Sequence, residues 1–289
     1  MIEASVIIGT YNQKEILEKT LKSLFKQTYP ADQYEIIVVD SMSSDGTEKM
    51  IEGLNHLCSL KYIRQENKGK VNARNNAIKR AKGTYILLTD ADIPAEPNWI
   101  EEHLKYQRKY KNVALAGQTI RQRTATTTDT ELPAKFKPLQ KIPWSYFLTG
   151  SLSIQKETIL AAGLFDENFK EYGWEDIELG YRLHKAGVAL RFLPSALNHH
   201  LHPVSDQDFL TINYKMGKSA SIFFRKHPNL QIKLFLGLNP LALGIHSLIK
   251  NQPWLLKLIE KRAGRSKYFR YILEQYHYLS GAKEGLANG

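Results

Sequence analysis

Short, almost continuously apolar segments that alternate with amphipathic ones restrict the fold of this chain more than any other feature. Such segments are typical of strands buried in a parallel sheet, and the amphipathic ones are typical of helices that cover it. The apolar segments are residues 5–10, 34–40, the weaker 62–64, and 85–89, and a helix is indicated at about residues 70–82. The first hundred residues therefore predict an α/β fold with a right-handed, mostly parallel central sheet flanked by helices.

Polar side chains follow three of these strands. Thr10, Asp40 and Asp90 stand where strands end, and ligands of α/β sheets bind at the carboxyl ends of the strands. Asp90 and Asp92 are one residue apart, so their carboxylates can converge on a hard divalent cation. A solvated turn is the alternative for an isolated Asp-x-Asp, but the preceding strand and Asp40 favour a functional site.

The pattern after residue 120 is less regular. Residues 121–141 are polar and rich in threonine, and they contain Pro133 and Pro138, so we interpret them as a mobile loop. The elements predicted next are a strand at 151–156, a helix at 176–186, a strand at 190–193 and amphipathic helices from residue 206 onward.

Composition excludes several classes of protein and indicates an anionic partner. Of the 289 residues, 43% are apolar and 24% charged, which is typical of a globular chain and not of a disordered or collagen-like one. A single cysteine, Cys58, excludes an internal disulfide and fits a reducing cytosol. The formal net charge is +11, and from Leu201 onward thirteen Lys or Arg face five Asp or Glu. Nucleotide phosphates, nucleic acid and an acidic membrane remain open as partners.

The sequence also predicts where the protein works. Residues 1–6 lack the basic start and apolar region of a signal peptide, and no apolar run reaches bilayer-spanning length. We therefore predict a cytoplasmic protein. Basic and apolar residues are mixed at helical spacing after residue 220, which is compatible with peripheral attachment to the inner face of the plasma membrane. A helical subdomain with solvated charges is the alternative.

Five motifs in order carry a resemblance to a known family. They are residues 6–12 (VIIGTYN), 38–47 (VVDSMSSDGT), 72–77 (NARNNA), 87–92 (LLTDAD) and 172–178 (YGWEDIE). Together they resemble a family 2 glycosyltransferase with the GT-A fold, and residues 175–200 are similar to galactosyltransferase and polypeptide N-acetylgalactosaminyltransferase domains. The resemblance implies a catalytic domain at 1–204, with a nucleotide-sugar half at 1–120 and an acceptor half at 145–204, and a helical, basic C-terminal region at 205–289.

The resemblance implies a nucleotide site built from five residues. Thr10 and Tyr11 would line the base pocket, and Asp40 would accept a hydrogen bond from an imide N–H such as that of uracil. Arg74 would lie near the nucleotide, where a guanidinium can pair with phosphate. Asp90 would face the ribose, the donor sugar or metal-bound water.

It also implies a metal site and a sugar site. Asp92 would bind the metal, Mn²⁺ or Mg²⁺, with His200 as a second ligand and His202 ranked after it. Gly150 and Ser151 match the position where many relatives contact the donor sugar with Gly-Asn, and Ser151 departs from that pattern.

The motif at 172–178 implies the catalytic centre. Asp176 matches the base that takes the proton of the acceptor hydroxyl, and Glu175 and Trp174 match acceptor-contacting positions. The alternative is that the acidic pair only complements the helix N-terminus. Retaining N-acetylgalactosaminyltransferases carry Asn where this chain has Asp176 and inverting galactosyltransferases carry Asp, so the resemblance implies inversion.

These residues predict a metal-dependent, inverting glycosyltransferase. It would move a hexose or N-acetylhexosamine from a nucleoside diphosphate sugar, with UDP favoured, to a glycan or lipid-linked saccharide in surface polysaccharide assembly. Two alternatives remain: a non-enzymatic protein that binds nucleic acid through its basic surface, and a sugar nucleotidyltransferase. Metal-free carboxylates at the strand ends would repel nucleic acid, and the glycine-rich opening of nucleotidyltransferases is absent, so we expect no nucleic-acid partner.

Overall fold

The computed structural model describes residues 1–122, 128–201 and 206–288, with the backbone alone for residues 122 and 206–208. The strands are β1 (Ala4–Thr10), β2 (Tyr34–Asp40), β3 (Ser59–Arg64), β4 (Tyr85–Leu88), β5 (Val113–Gln122), β6 (Thr128–Thr130), β7 (Leu152–Gln155) and β8 (Ala189–His200). The helices are α1 (Lys14–Leu24), α2 (Thr47–Glu52), α3 (Lys70–Arg80), α4 (Trp99–Lys109), α5 (Lys156–Ala161), α6 (Glu175–Lys185), α7 (Asp206–Lys226), α8 (Leu230–Phe235), α9 (Pro240–Asn251), α10 (Pro253–Ala263) and α11 (Lys267–Ala287).

All eight strands belong to one mixed sheet. Its order is β3-β2-β1-β4-β7-β5-β6, and β8 pairs with β5 outside this path. The first four strands are parallel, as their apolar sequences predict, whereas β7 runs antiparallel between β4 and β5. The predicted α/β class with a central sheet and flanking helices is confirmed.

The register of the parallel strands brings polar residues to the same edge. Thr10 lies beside Asp40, and Asp40 lies beside Arg64 on β3. The side chains of β1 and β2 before this edge are almost all buried, because both faces of the central strands are covered. Helix α1 covers one face with Leu17 and Leu21, which are fully buried. The buried strands hold the polar edge rigidly.

The prediction of a loop at 121–141 is wrong at its start. Strand β5 runs to Gln122 and pairs antiparallel with β6, so that Arg121 faces Asp129. Residues 131–140 form no helix or strand, and Lys141 makes only an isolated bridge with Arg191 of β8. Threonine is β-branched and polar, so a threonine-rich segment forms a strand wherever one face meets solvent. Residues 123–127 of the predicted loop lie outside the described residues.

One strand is longer than the sequence predicted, and one helix was not predicted. The apolar segment at 190–193 is the start of β8, which continues to His200 beside β5. Helix α4 follows the Asp90–Asp92 turn and buries Trp99, His103 and Gln107 against the sheet. Both elements contain polar residues that are buried in the structure, so their sequences lack a clear apolar pattern. Burial of a polar side chain depends on a hydrogen-bond partner from elsewhere in the chain, which the sequence pattern does not reveal.

The chain forms two compact units: residues 1–167 with 176–203, and residues 168–175 with 204–289. In the second unit, glycines let the backbones of α7 and α11 approach each other closely. A Cβ on Gly217 would stand 1.9 Å from the carbonyl oxygen of Tyr278, and one on Gly281 would stand 2.0 Å from that of Tyr214. Helix α9 turns His246 and Ile249 inward, and His246 stacks on Tyr276 of α11. No helix in the described part of the chain is long and apolar enough to cross a bilayer.

Candidate active site

The Asp90–Asp92 segment forms a tight turn at the end of β4. Ile93 donates its N–H to the carbonyl of Asp90, and the hydroxyl of Thr20 on α1 donates to the carbonyl of Ala91 at 2.8 Å. Ala91 is buried, whereas the two aspartates on either side are only partly buried. The turn therefore directs both carboxylates away from the core.

Asp90 accepts hydrogen bonds from two cationic side chains. Arg74 Nη2 lies 2.7 Å from Oδ1, and Lys70 Nζ lies 3.0 Å from Oδ2. Burial alone would raise the pKa of Asp90, but the two cations outweigh it and hold this pKa well below its usual range. Arg74 is buried and lies over the ring of Phe165. Two of the predicted nucleotide-site residues, Arg74 and Asp90, are thus in direct contact.

Asp92 meets His200 because the end of β8 runs beside the turn. Leu201 donates its N–H to the carbonyl of Asp92 at 3.1 Å, and His200 Nε2 stands 3.4 Å from Asp92 Oδ2. His199 points to the opposite side, where its Nε2 is 2.7 Å from Glu96 Oε1. The alternation of side chains along a strand therefore separates the two histidines.

This pair offers one carboxylate oxygen and one imidazole nitrogen, a donor set that suits Mn²⁺. Within residues 1–122, 128–201 and 206–288, no three His, Cys, Asp or Glu side chains form a group that could hold an ion. A cation at Asp92 and His200 would thus need further ligands, and diphosphate oxygens are ligands of the kind it prefers. His202, ranked second as a ligand, lies outside the described residues.

Asp40 is buried at the end of β2 and both of its oxygens accept hydrogen bonds. Ser43 donates its N–H and its hydroxyl to Oδ1, at 2.9 and 2.6 Å, and Tyr62 donates to Oδ2 at 2.6 Å. Burial, followed by the bond to Asp40, raises the pKa of Tyr62 well above its usual range. Oδ2 retains a further lone pair, whereas both lone pairs of Oδ1 are used by Ser43, and the predicted bond to a base stays a prediction.

The residues after β1 form the other half of this edge. Asn12 adopts a positive φ of 50° and accepts the N–H of Ser44 at 2.8 Å. Tyr11 is half exposed. The hydroxyl of Thr10 is buried and has no hydrogen-bond partner among the described residues. A half-exposed tyrosine and a buried hydroxyl without a partner among the described residues are groups that a ligand could use.

Gly150 and Ser151 lie behind the turn. The carbonyl of Gly150 accepts from Thr89 Oγ1 at 3.1 Å and from Asn198 Nδ2 at 2.7 Å. Ser151 is buried, and its hydroxyl accepts the indole N–H of Trp99 at 2.9 Å. The side chain of Ser151 thus faces the core, and its predicted contact with a donor sugar stays a prediction.

Asp176 stands in the first turn of α6 in the first unit and accepts the N–H of Ile177 at 2.8 Å. The helix is anchored by Arg182, which contacts buried Glu178 and donates to the carbonyl of Leu164 at 2.6 Å. The carboxylate is partly exposed. The anchoring of α6 fixes the position from which it can act.

Glu175 and Trp174 belong to the second unit. Trp174 has a positive φ of 71° after Gly173, and its ring lies among Phe223, Phe235 and Tyr278 at centroid distances of 5.6 to 6.5 Å. A bulky residue at positive φ is strained, and such strain is concentrated at functional sites. The acceptor-contacting roles of Trp174 and Glu175 stay predictions.

The sequence did not single out several residues that complete the site. Lys70 binds Asp90, and Tyr62 and Ser43 bind Asp40. Glu131 lies beside Gly150, since a Cβ on that glycine would stand 3.6 Å from Glu131 Oε2, and it pairs with Arg121. Lys70 stands one helical turn before Arg74 on α3, so its spacing from a predicted site residue could have indicated it. Glu131 lies near the site because β6 pairs with β5, and no local sequence pattern indicates that pairing.

Ligands of α/β sheets bind at the carboxyl ends of the strands, and this edge gathers a buried arginine, a lysine and a carboxylate–imidazole pair. The family model described as "Glycosyl transferase family 2" matches residues 5–161. The chain belongs to this family. This membership favours the enzymatic prediction over the non-enzymatic alternative.

Curated relatives and solved structures agree with the family. The chain is 29% identical to the "Uncharacterized glycosyltransferase YfnE" of Bacillus subtilis, over 70% of this chain and 66% of that protein, and 27% identical to an Escherichia coli chondroitin synthase, over 69% and 34%. It thus spans between a third and two thirds of these relatives.

The fold is that of GT-A structures. The mannosyltransferase PcManGT of Pyrobaculum calidifontis, solved with GDP-Man and Mn²⁺, aligns with a TM-score of 0.69 at 19% identity over 99% of this chain and 87% of that one. Residues 1–349 of Staphylococcus aureus TarS, solved with UDP-GlcNAc, align with a TM-score of 0.63 at 17% identity over 98% and 92%. The central sheet, its flanking helices and the C-terminal helices match this architecture.

Proposed function

We propose that this glycosyltransferase moves a hexose or N-acetylhexosamine from a UDP-sugar to a glycan or lipid-linked saccharide acceptor, with inversion, in the assembly of a surface polysaccharide. The contact between Asp92 and His200 beside the Asp90–Arg74 pair carries the proposal, because it gathers metal ligands and cations at the edge where a nucleotide would bind. The chondroitin synthase relative and the UDP-GlcNAc complex of TarS support the polysaccharide setting and the uridine nucleotide.

The cations Lys70 and Arg74 account for binding of a diphosphate. Both side chains lie within 3.0 Å of Asp90, and the Lys70 ammonium is partly exposed. A nucleoside diphosphate brings negative charge to this cluster, where Lys70 could shift from carboxylate to phosphate while the buried Arg74 keeps its place. Thr10 and Asp40, on adjacent strands, would contact the base, and Asp40 would accept a hydrogen bond from an imide N–H such as that of uracil.

Asp92 and His200 would hold the divalent ion. When bound, such an ion neutralises charge on the departing diphosphate. Asp92 and His200 would keep the ion at the end of β4, and Lys70 would add positive charge beside the phosphates of the donor.

Asp176 acts as the base in the proposed transfer. The acceptor hydroxyl oxygen bonds to the anomeric carbon while the bond from that carbon to the diphosphate oxygen breaks, and the hydroxyl proton passes to the Asp176 carboxylate. Attack from the face opposite the leaving group converts an α-linked donor into a β-linked product. An ionisable carboxylate at this position, where retaining relatives carry Asn, supports inversion.

Histidine variants test the metal site by a measurement other than turnover. Binding of Mn²⁺ in the presence of UDP is followed by electron paramagnetic resonance for the wild type, His200→Ala and Asp92→Asn, with His199→Ala as the matched control. We expect both site variants to weaken Mn²⁺ binding at least tenfold and His199→Ala to leave it unchanged. Equal weakening by His199→Ala, or none by His200→Ala, would refute the assignment.

Donor and product are tested separately. Thermal shifts with UDP-, GDP- and dTDP-sugars plus Mn²⁺ should be largest for a UDP-sugar, and the product anomer determined by nuclear magnetic resonance should be β. Asp176→Asn should retain donor binding and lose transfer by about 10² to 10⁴-fold. Glu157→Gln, an acidic residue at the N-terminus of α5, is the matched control and should remain active. An α-linked product, or an active Asp176→Asn, would exclude the mechanism.

A further inference from the structure

Helix α9 in the second unit exposes an apolar stripe. Leu241, Ile245 and Leu248 are spaced by four and three residues, so they lie on one face of the helix. Their exposed fractions are 74%, 50% and 58%. The opposite part of α9 is already packed, since His246 bonds to Ser280 of α11 at 2.8 Å. No described residue covers the stripe.

Further apolar and aromatic side chains are exposed in the residues before and after this stripe. Trp254, at the start of α10, is 64% exposed, and its indole N–H donates to the side chain of Gln252 at 3.0 Å. Leu230 and Leu234 on α8 and Tyr268 and Tyr271 on α11 are also exposed. Soluble proteins scatter such residues singly, whereas a concentration of them marks an interaction site.

The charge of the same segment is strongly one-sided. Between residues 230 and 272 there are eight Lys or Arg and one acidic residue, Glu260. The basic residues are Lys233, Lys250, Lys257, Lys261, Arg262, Arg265, Lys267 and Arg270. All but Lys233 are exposed. A partner that matches this segment must present negative charge together with an apolar phase.

We propose that the stripe Leu241–Ile245–Leu248 and the basic residues around it dock the chain on an anionic lipid bilayer. An anionic leaflet supplies both phases at once: acyl chains accept the leucines and isoleucine, and headgroups attract lysine and arginine. Tryptophan and tyrosine at the edge of such a surface are typical of the headgroup region, where an aromatic ring is buried and its polar atom stays wet.

A protein partner fits these features less well. An acidic protein would pair with the charges, but it would not require three large apolar side chains on one face of a helix. A second copy of this chain would bring eight more basic residues against the same segment, and the repulsion would oppose dimer formation. The bilayer is therefore the occupant that both the charge and the apolar stripe favour.

Vesicle sedimentation of the whole chain tests the proposal. The vesicles are phosphatidylcholine alone and phosphatidylcholine with phosphatidylglycerol. The apolar variant is Leu241→Ser/Ile245→Ser/Leu248→Ser, and its control is Leu57→Ser, an exposed leucine of the first unit. We expect binding only to the anionic vesicles, a loss of at least tenfold in the apolar variant and less than twofold in the control. Equal sedimentation of the apolar variant and the wild type would overturn the proposal.

Substitutions of exposed lysines test the same surface without disturbing the packing of the second unit. The docking variant is Lys250→Gln/Lys257→Gln/Lys261→Gln, and its charge-matched control is Lys19→Gln/Lys26→Gln/Lys61→Gln. At low salt each lysine near an anionic surface is worth roughly a fivefold change in binding, so the docking variant should bind about a hundredfold more weakly. The control should stay within threefold. Equal losses in the two variants would show a net-charge effect only and would overturn the assigned surface.

Two further measurements place the contact and exclude self-association. Lipids carrying a quencher should quench the fluorescence of Trp254, and this quenching should vanish in Trp254→Phe. Light scattering of the free chain should report a monomer. A dimer dispersed by the apolar variant, with no vesicle binding by the wild type, would overturn the proposal in favour of a second copy.

Discussion

The buried imidazole of His103 makes the free energy of unfolding depend on pH. His103 lies on α4, fully buried against the sheet, and its Nδ1 is 2.8 Å from Ser153 Oγ. Burial lowers the pKa of His103 to about 3 from an ordinary value near 6.5. The folded state therefore keeps the ring neutral, whereas the unfolded chain takes up a proton below pH 6.5.

The sign and size of the effect follow from this difference in proton uptake. The stabilising contribution is complete above pH 6.5 and is lost as the pH falls toward 3, because protons then bind preferentially to the unfolded state. Between pH 7 and pH 5 the unfolded imidazole goes from mostly neutral to almost fully charged, which removes about 2 kcal/mol from the free energy of unfolding. His246, buried in the second unit with its pKa lowered to about 4, adds a loss of the same sign.

Urea unfolding followed by circular dichroism at pH 5, 6 and 7 measures this term. His103→Gln, whose amide can still meet Ser153, should be less stable at pH 7 but lose about 2 kcal/mol less than the wild type between pH 7 and pH 5. The exposed His184→Gln is the matched control and should follow the wild-type curve. Parallel curves for His103→Gln and the wild type would show that the buried ring is not responsible.

Three further substitutions probe packing, one in the second unit and two in the first, each measured by urea unfolding at pH 7. Gly217→Ala places a methyl group 1.9 Å from a carbonyl of α11 and should cost about 3 kcal/mol or more, and an unchanged midpoint would contradict the close helix contact. Ser151→Ala leaves the indole N–H of Trp99 unpaired in the core and should cost about 1–3 kcal/mol, with Ser151→Thr as the hydroxyl-bearing comparison. Arg74→Met leaves Asp90 without its buried partner and should cost roughly 3 kcal/mol, and a neutral result would mean that Lys70 alone suffices.

The sequence predicted the first four strands and the residues at their ends because these signals are local. A strand buried on both faces must be apolar throughout, and a carboxylate directly after it stands at the carboxyl edge of the sheet whatever follows. The motifs around Asp40, Arg74 and Asp90 therefore indicated a nucleotide site and the family to which the chain belongs. The metal and catalytic roles of Asp92, His200 and Asp176 remain predictions.

Partners far apart in the chain could be found only in the tertiary structure. The β5–β6 pairing converts a threonine-rich segment into strand and brings Glu131 beside Gly150, and the long run of β8 decides that His200 and not His199 faces Asp92. The buried hydroxyl of Ser151 is taken by Trp99, which no local pattern indicates. Strand pairing and burial of polar groups depend on which distant residues supply the hydrogen bonds, and that choice is made by the packed chain as a whole.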